Sequence, residues 1–186
     1  MTIQTGSLMA GKRGLILGVA NDHSIAWGIA KAVAAQGAEL CFTHQGEALA
    51  KRVRPLAESV GSDFVLPCDV EDIASVDRVF AEIKKKWGKL DFVVHAIGFS
   101  DKSELKGPYI EATTRENFQR TMVISCFSFT EIAQRAAKLM PDGGALLTLT
   151  YAGSTGVMPN YNVMGLAKAA LESSVRYIAS DLGPRN

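Results

Sequence analysis

The chain has 186 residues, 47% hydrophobic and 21% charged, which is enough for one α/β domain with a sizeable buried core. Twenty Lys plus Arg against nineteen Asp plus Glu leave a net charge of +1, which argues against nucleic acid or an anionic membrane as a partner. The three cysteines, Cys41, Cys68 and Cys126, and the scattered His23, His44 and His95 form neither a CxxC pair nor a zinc-ligand spacing. The cysteines read as reduced, buried small hydrophobes of a cytosolic protein, and no metal is expected.

In chain order, Met1–Gly14 lacks the apolar centre of a secretory signal. Short β-prone runs at Arg13–Leu17, Leu40–Thr43, Phe64–Pro67, Phe92–His95 and Ala145–Thr150 suit parallel strands covered on both faces. Helices are expected between them. Ile25–Gln36 stops at Gly37, Glu47–Val60 at Gly61, and Ile73–Trp87 at Gly88, with Lys84, Lys85 and Lys86 at the dipole's negative end. Thr114–Met140 is expected as one long helix and Asn162–Leu182 as another. The uncharged run Gly143–Ala167 is too broken by glycines and Pro159 for a membrane helix, and reads as a buried strand followed by an active-site loop. This alternation predicts a Rossmann-like, doubly wound parallel sheet in a single domain, residues 1–186, without repeats.

Gly18-Val-Ala-Asn-Asp-His-Ser24-Ile25-Ala-Trp-Gly28 follows the first strand. A glycine there lets the backbone approach a pyrophosphate, and the helix N-terminus behind it offers free N–H groups. The spacing is not GxGxxG, and a strand-to-helix turn uses glycine for its own geometry, so the loop alone leaves both readings open. Ser24 can cap the helix, touch phosphate, or do both. Gln45, after the second strand, can bond a ribose or adenine edge. The nearest cations beyond it, Lys51 and Arg52, lie on the next helix, which favours NADH over NADPH. Asp69 either accepts from an adenine amino group, with the Val70 N–H donating to the ring, or caps the following helix.

Lys168 follows Tyr161 by seven positions, nearly two helical turns, which would place both side chains on one helix face about 10 Å apart along the axis. Where hydride transfer to a substrate pushes charge onto a carbonyl oxygen, a phenol aimed at that oxygen stabilises it. A lysine beside it would hold the nicotinamide ribose. The plainer alternative is a packed tyrosine and a solvated lysine.

These residues resemble the bacterial NADH-dependent enoyl-acyl-carrier-protein reductases of the short-chain dehydrogenase superfamily. The likeness is carried by Gly18–Gly28, Cys68-Asp69-Val70, His95-Ala-Ile97-Gly-Phe99 and Leu146–Tyr151, and most specifically by Pro159-Asn-Tyr161-Asn-Val-Met-Gly-Leu-Ala-Lys168-Ala169. The Tyr-x6-Lys spacing separates this family from Tyr-x3-Lys carbonyl reductases, and position 165 is glycine. The resemblance implies cofactor contacts from Gly18, Ser24, Ile25, Gln45, Asp69, Val70, Ile97 and Lys168. It implies catalytic roles for Tyr161, against the thioester carbonyl, for Lys168, and for Tyr151, the second tyrosine near the substrate. Ser100 falls where the family's backbone lines the substrate site. An acyl carrier protein as partner, fatty-acid biosynthesis, a cytoplasmic location and a homotetramer are implied in the same way.

The sequence departs from the family pattern after Asp181–Asn186, where the family continues with a further strand, the substrate lid and closing helices. The expectation is therefore an open sheet edge, poor activity and a tendency to aggregate. A carbonyl reductase of the same superfamily and a non-catalytic NAD-binding fragment are the alternatives.

Overall fold

The computed structural model describes residues 4–185. By its internal contacts the chain divides into two compact units. One comprises the described residues up to Ala96 with Arg135–Thr148, and the other comprises Ile97–Gln134 with the described residues from Leu149 onward.

The first unit holds the whole sheet: β1 (Arg13–Leu17), β2 (Glu39–His44), β3 (Val65–Pro67), β4 (Phe92–His95) and β5 (Ala145–Thr148). The strands are all parallel, in the order β3-β2-β1-β4-β5. Central β1 has no alternation because Leu15, Ile16 and Leu17 are all fully buried, as a strand covered on both faces requires. Helix α1 (Ile25–Ala35) and helix α2 (Gly46–Ser59) place Ala26, Trp27, Ala30, Val53 and Ala57 in one cluster with Ile16, Phe42, Val65 and Val94. Trp27 tilts against Phe42 with ring centroids 6.3 Å apart.

Helix α3 (Ile73–Trp87) has the predicted bounds. Asp72 caps its start through the Ala74 N–H at 3.0 Å, and Gly88, at φ 77°, ends it behind the three lysines. Trp87 closes on Phe64 edge to face at 5.1 Å.

Strand β5 differs from expectation. It pairs only with β4, and its residues alternate between exposed and half-buried, with Leu147 45% exposed. Among the described residues it is an edge strand and not a buried one, and it stops at Thr148. All three cysteines are free and buried. Burial raises the Cys41 and Cys68 thiols, the latter to about 11, so both stay protonated at neutral pH.

The second unit contains helix α4 (Tyr109–Ala112), helix α5 (Arg115–Met122), the start of helix α6 (Ser128–Ala136) and helix α7 (Asn162–Leu182). The single long helix expected over Thr114–Met140 is a continuous helical path with a π turn inserted at Val123–Phe127 and a 3-10 turn at Ala137–Leu139. Such insertions often mark functional positions. This one carries Ser125, whose hydroxyl meets the Phe99 backbone on both sides, accepting from its N–H and donating to its carbonyl, each at 2.9 Å.

Candidate functional site

In the first unit, Gly18 ends β1 at φ 97°, and a Cβ there would stand 2.1 Å from the Ala96 carbonyl oxygen. The protein's own packing therefore requires this glycine, independently of any ligand. Gly18→Ala is expected to destabilise the fold by on the order of 3 kcal/mol, combining left-handed strain with overpacking. Urea unfolding at an unchanged slope would show it as a lower midpoint.

Ser24 does not cap α1 with its side chain. It occupies the N-cap position of α1, yet its hydroxyl turns back into the loop and accepts from the Ala20 and Asn21 N–H groups at 3.0 and 3.1 Å. The loop is thereby held shut on itself, and no side chain caps the first turn of α1, where Ile25 stands exposed. An uncapped helix start behind a glycine turn suits an anionic diphosphate, because its first N–H groups have no intrahelical acceptor.

Asp69 does not cap α3, since Asp72 does. Asp69 accepts from the Glu71 N–H at 2.9 Å and from Gln45 Nε2 at 3.0 Å, and its own N–H donates to Ser75 Oγ at 2.8 Å. Gln45 and Asp69, 24 positions apart in sequence, are thus one hydrogen-bonded pair at the carboxyl ends of β2 and β3. The pair offers an exposed amide and a carboxylate to ribose or adenine donors. Val70 is buried, so its backbone is the part available for contact.

In the second unit, Lys168 lies on α7 with 8% exposure, and its ammonium donates to the Leu149 carbonyl at 2.8 Å. Burial holds this lysine below its ordinary range. One turn further, Glu172 accepts from Thr150 Oγ1 and from Ser154, so Lys168 and Glu172 staple the loop after β5 to one face of α7. A Cβ on Gly98 would stand 3.8 Å from Lys168 Nζ, an ordinary contact distance, so the backbone next to Ile97 lies close to the ammonium.

Tyr161 is half-buried and sits at the N-cap position, outside the helix that begins at Asn162. The expectation of two side chains on one continuous helix face is corrected to that extent. Only Lys168 is helical, and Tyr161 is set by the turn before it. Its ring meets Tyr151 edge to face at 5.0 Å, and Gly153 lies so close that a Cβ there would stand 2.4 Å from Tyr161 Cδ1. Burial, and next the Tyr151 phenol, hold Tyr161 above the usual tyrosine range, which keeps it a donor at neutral pH. Tyr151 is 47% exposed.

A groove of about 420 Å³, lined mainly by apolar atoms of Tyr109, Gly153–Met158, Tyr161, Asn162, Gly165, Leu166 and Ala169, opens beside the Tyr161 ring. Ser100 is buried, and its hydroxyl is engaged by Asn117 Nδ2 at 3.0 Å and Thr121 Oγ1 at 2.9 Å, which leaves its backbone for any ligand contact. Sequence reasoning missed Asn162 and Glu104: the side-chain amide of Asn162, the residue after Tyr161, donates to the Glu104 carbonyl. The available signal was a pair of asparagines, Asn160 and Asn162, bracketing the tyrosine.

No group of three or more metal-ligating side chains lies among the described residues, and no helix among them is long and apolar enough to cross a membrane. Residues 18–186 match the family model described as enoyl-(acyl carrier protein) reductase. The chain is 76% identical over 178 residues to enoyl-[acyl-carrier-protein] reductase [NADH] 2 of Rhizobium meliloti, covering 96% of this chain and 66% of that protein. It is 50% identical to the FabI reductase [NADH] of Escherichia coli K12, covering 95% and 67%. The crystal structure of the Anaplasma phagocytophilum enoyl-(acyl-carrier-protein) reductase in complex with NAD superposes with a TM-score of 0.95 at 58% identity, covering 99% of this chain and 70% of that one. The chain thus spans about two thirds of the length of these relatives, and over that span it belongs to the enoyl-(acyl-carrier-protein) reductase family.

Proposed function

We propose that this chain carries the NADH-binding residues and the tyrosine–lysine pair of an NADH-dependent reductase acting on the trans-2 double bond of enoyl-acyl-carrier-protein thioesters. The observation that carries the reading is Lys168: a buried ammonium that donates to the Leu149 carbonyl and not to a carboxylate, spaced Tyr-x6-Lys from a tyrosine that burial holds above its usual range. Gly18, the uncapped start of α1 at Ser24 and Ile25, and the Gln45–Asp69 pair with Val70 are read as holding the pyrophosphate and adenosine. Ile97 and Lys168 are read as holding the nicotinamide and its ribose.

Bound NADH would supply a hydride to the β-carbon of the substrate. The Tyr161 hydroxyl donates to the thioester oxygen as charge develops there, its partial burial strengthening that bond, and a proton taken up at the α-carbon of the resulting enolate completes the reduction. Lys168 adds positive potential and fixes the ribose hydroxyls, while Tyr151 orients the Tyr161 ring through their edge contact. The Ser100 backbone and the groove beside Tyr161 are read as facing the acyl thioester. An acyl carrier protein as partner, a place in fatty-acid biosynthesis, a cytoplasmic location and a homotetramer belong to the same proposal.

The test is NADH binding by fluorescence, followed by NADH oxidation with a crotonyl thioester. Expected are binding and oxidation of NADH with the crotonyl thioester. Turnover of ketones with indifference to the enoyl thioester would favour a carbonyl reductase, and binding with no turnover a non-catalytic fragment. Within this reading, Asp69→Ala is expected to weaken NADH binding by about tenfold, the worth of one charged hydrogen bond, with little change in turnover number. The same fluorescence titration measures it.

A further inference from the structure

Asn160 and Asn162 are the two non-glycine residues with positive φ among the described residues, at 58° and 32°, and they bracket Tyr161. Asparagine tolerates the left-handed region better than other L-residues, and here a pair of them marks the turn around one tyrosine. The Asn162 amide Nδ2 donates to the Glu104 carbonyl at 2.9 Å and to the Gly107 carbonyl at 3.3 Å. That loop is itself anchored. The Glu104 carboxylate accepts from the Thr114 N–H at 2.9 Å, from Thr114 Oγ1 at 2.8 Å and from Asn117 Nδ2 at 3.1 Å. Asn117 and Thr121 in turn engage Ser100, so one hydrogen-bonded network runs from Ser100 to the residue after Tyr161.

We propose that Asn162 is a positioning residue for Tyr161: its amide ties the start of α7 to the anchored Glu104–Gly107 loop and so fixes the direction of the phenol. This rests on the proposed reaction and deepens it, since a phenol must be aimed before it can meet an oxygen. The other restraints on the ring, Gly153 and Tyr151, bear on its side and edge and leave the backbone that carries it to be set by Asn162. The Tyr161 ring is half-buried only while that backbone holds it, so its titration reports its position without any substrate.

The experiment uses Asn162→Gly, which keeps a positive φ without strain but has no donor, and Asn162→Asp, nearly isosteric and also unable to donate when ionised. Ultraviolet titration of the phenols, with Tyr161→Phe identifying the Tyr161 wave, is expected to show that wave moved to lower pH in both variants. Turnover with a crotonyl thioester is expected to fall by about 10- to 100-fold, the order of loss for a reacting group misplaced by about 1 Å. KM for NADH should stay close to that of the unmodified chain. An unchanged Tyr161 wave in Asn162→Gly, or loss of the fold by circular dichroism in both variants, would overturn the proposal. If the wave moves but the unmodified chain never oxidises NADH with the thioester, the reaction fails and the positioning role stands.

Discussion

Tyr161→Phe is expected to lower turnover of a crotonyl thioester by about 10²- to 10³-fold, the loss typical of removing one donor to a developing oxyanion. The substitution deletes only the hydroxyl. The ring keeps its place between Gly153 and Tyr151, so NADH binding and thermal stability should hold. Steady-state rates at saturating NADH, with fluorescence titration of NADH beside them, separate the two quantities. A drop in both together would mean that the phenol supports the fold or the cofactor and not the enolate. A direct role also predicts that Tyr151→Phe costs far less, because half of Tyr151 faces solvent and its hydroxyl carries no assigned bond in the step.

Lys168→Met should act on the other quantity, weakening NADH binding by about 10- to 100-fold, the range for hydrogen bonds to a charged group. Methionine fills the lysine stem's space, and Glu172 still ties Thr150 and Ser154 to α7, so the loop after β5 keeps its second staple. The same variant changes how stability depends on pH. Burial lowers the Lys168 pKa in the folded chain, so between that lowered value and the ordinary 10.5 the unfolded chain binds more protons. Stability from this group therefore rises with pH through that window and is lost as pH falls through the folded value. Tyr161 has the opposite sign: its raised value makes the folded chain hold a proton longer, so its contribution falls as pH climbs past 10.0. Urea midpoints compared in a Tyr161→Phe background isolate the lysine, and Lys168→Met should flatten the rise.

Much of the frame was legible because burial and period speak in the same residues. Leu15, Ile16 and Leu17 form an unbroken apolar run, and β1 and β4 have the bounds read from sequence, as do α3 and α7. Lys84–Lys86 and Gly88 end α3 for reasons local to those residues. The pairing of Tyr161 with Lys168 was legible as spacing, but not as geometry. Helix periodicity says nothing of two left-handed asparagines, which move Tyr161 out of the helix and into a turn.

The π turn escaped for a related reason. Val123–Phe127 is apolar enough to continue any helix, and the extra residue leaves no mark on composition. Ser24 and Asp69 were read as candidate caps because their types favour caps, whereas loop geometry turned each toward other partners: backbone N–H groups for Ser24, and Gln45 as well as a backbone N–H for Asp69. Strand β5 looked buried because its residues are apolar. Its exposure follows from having one strand neighbour, a property of the sheet and not of the run Ala145–Thr148.

The most direct test of the account is the fate of deuterium from NADH labelled at both C4 positions, offered to the chain with a crotonyl thioester. Mass spectrometry of the product should find butyryl thioester with one deuterium on its β-carbon, formed far more slowly by Tyr161→Phe. Deuterium appearing on a carbinol carbon from a ketone substrate, with the crotonyl thioester returned unlabelled, would contradict it.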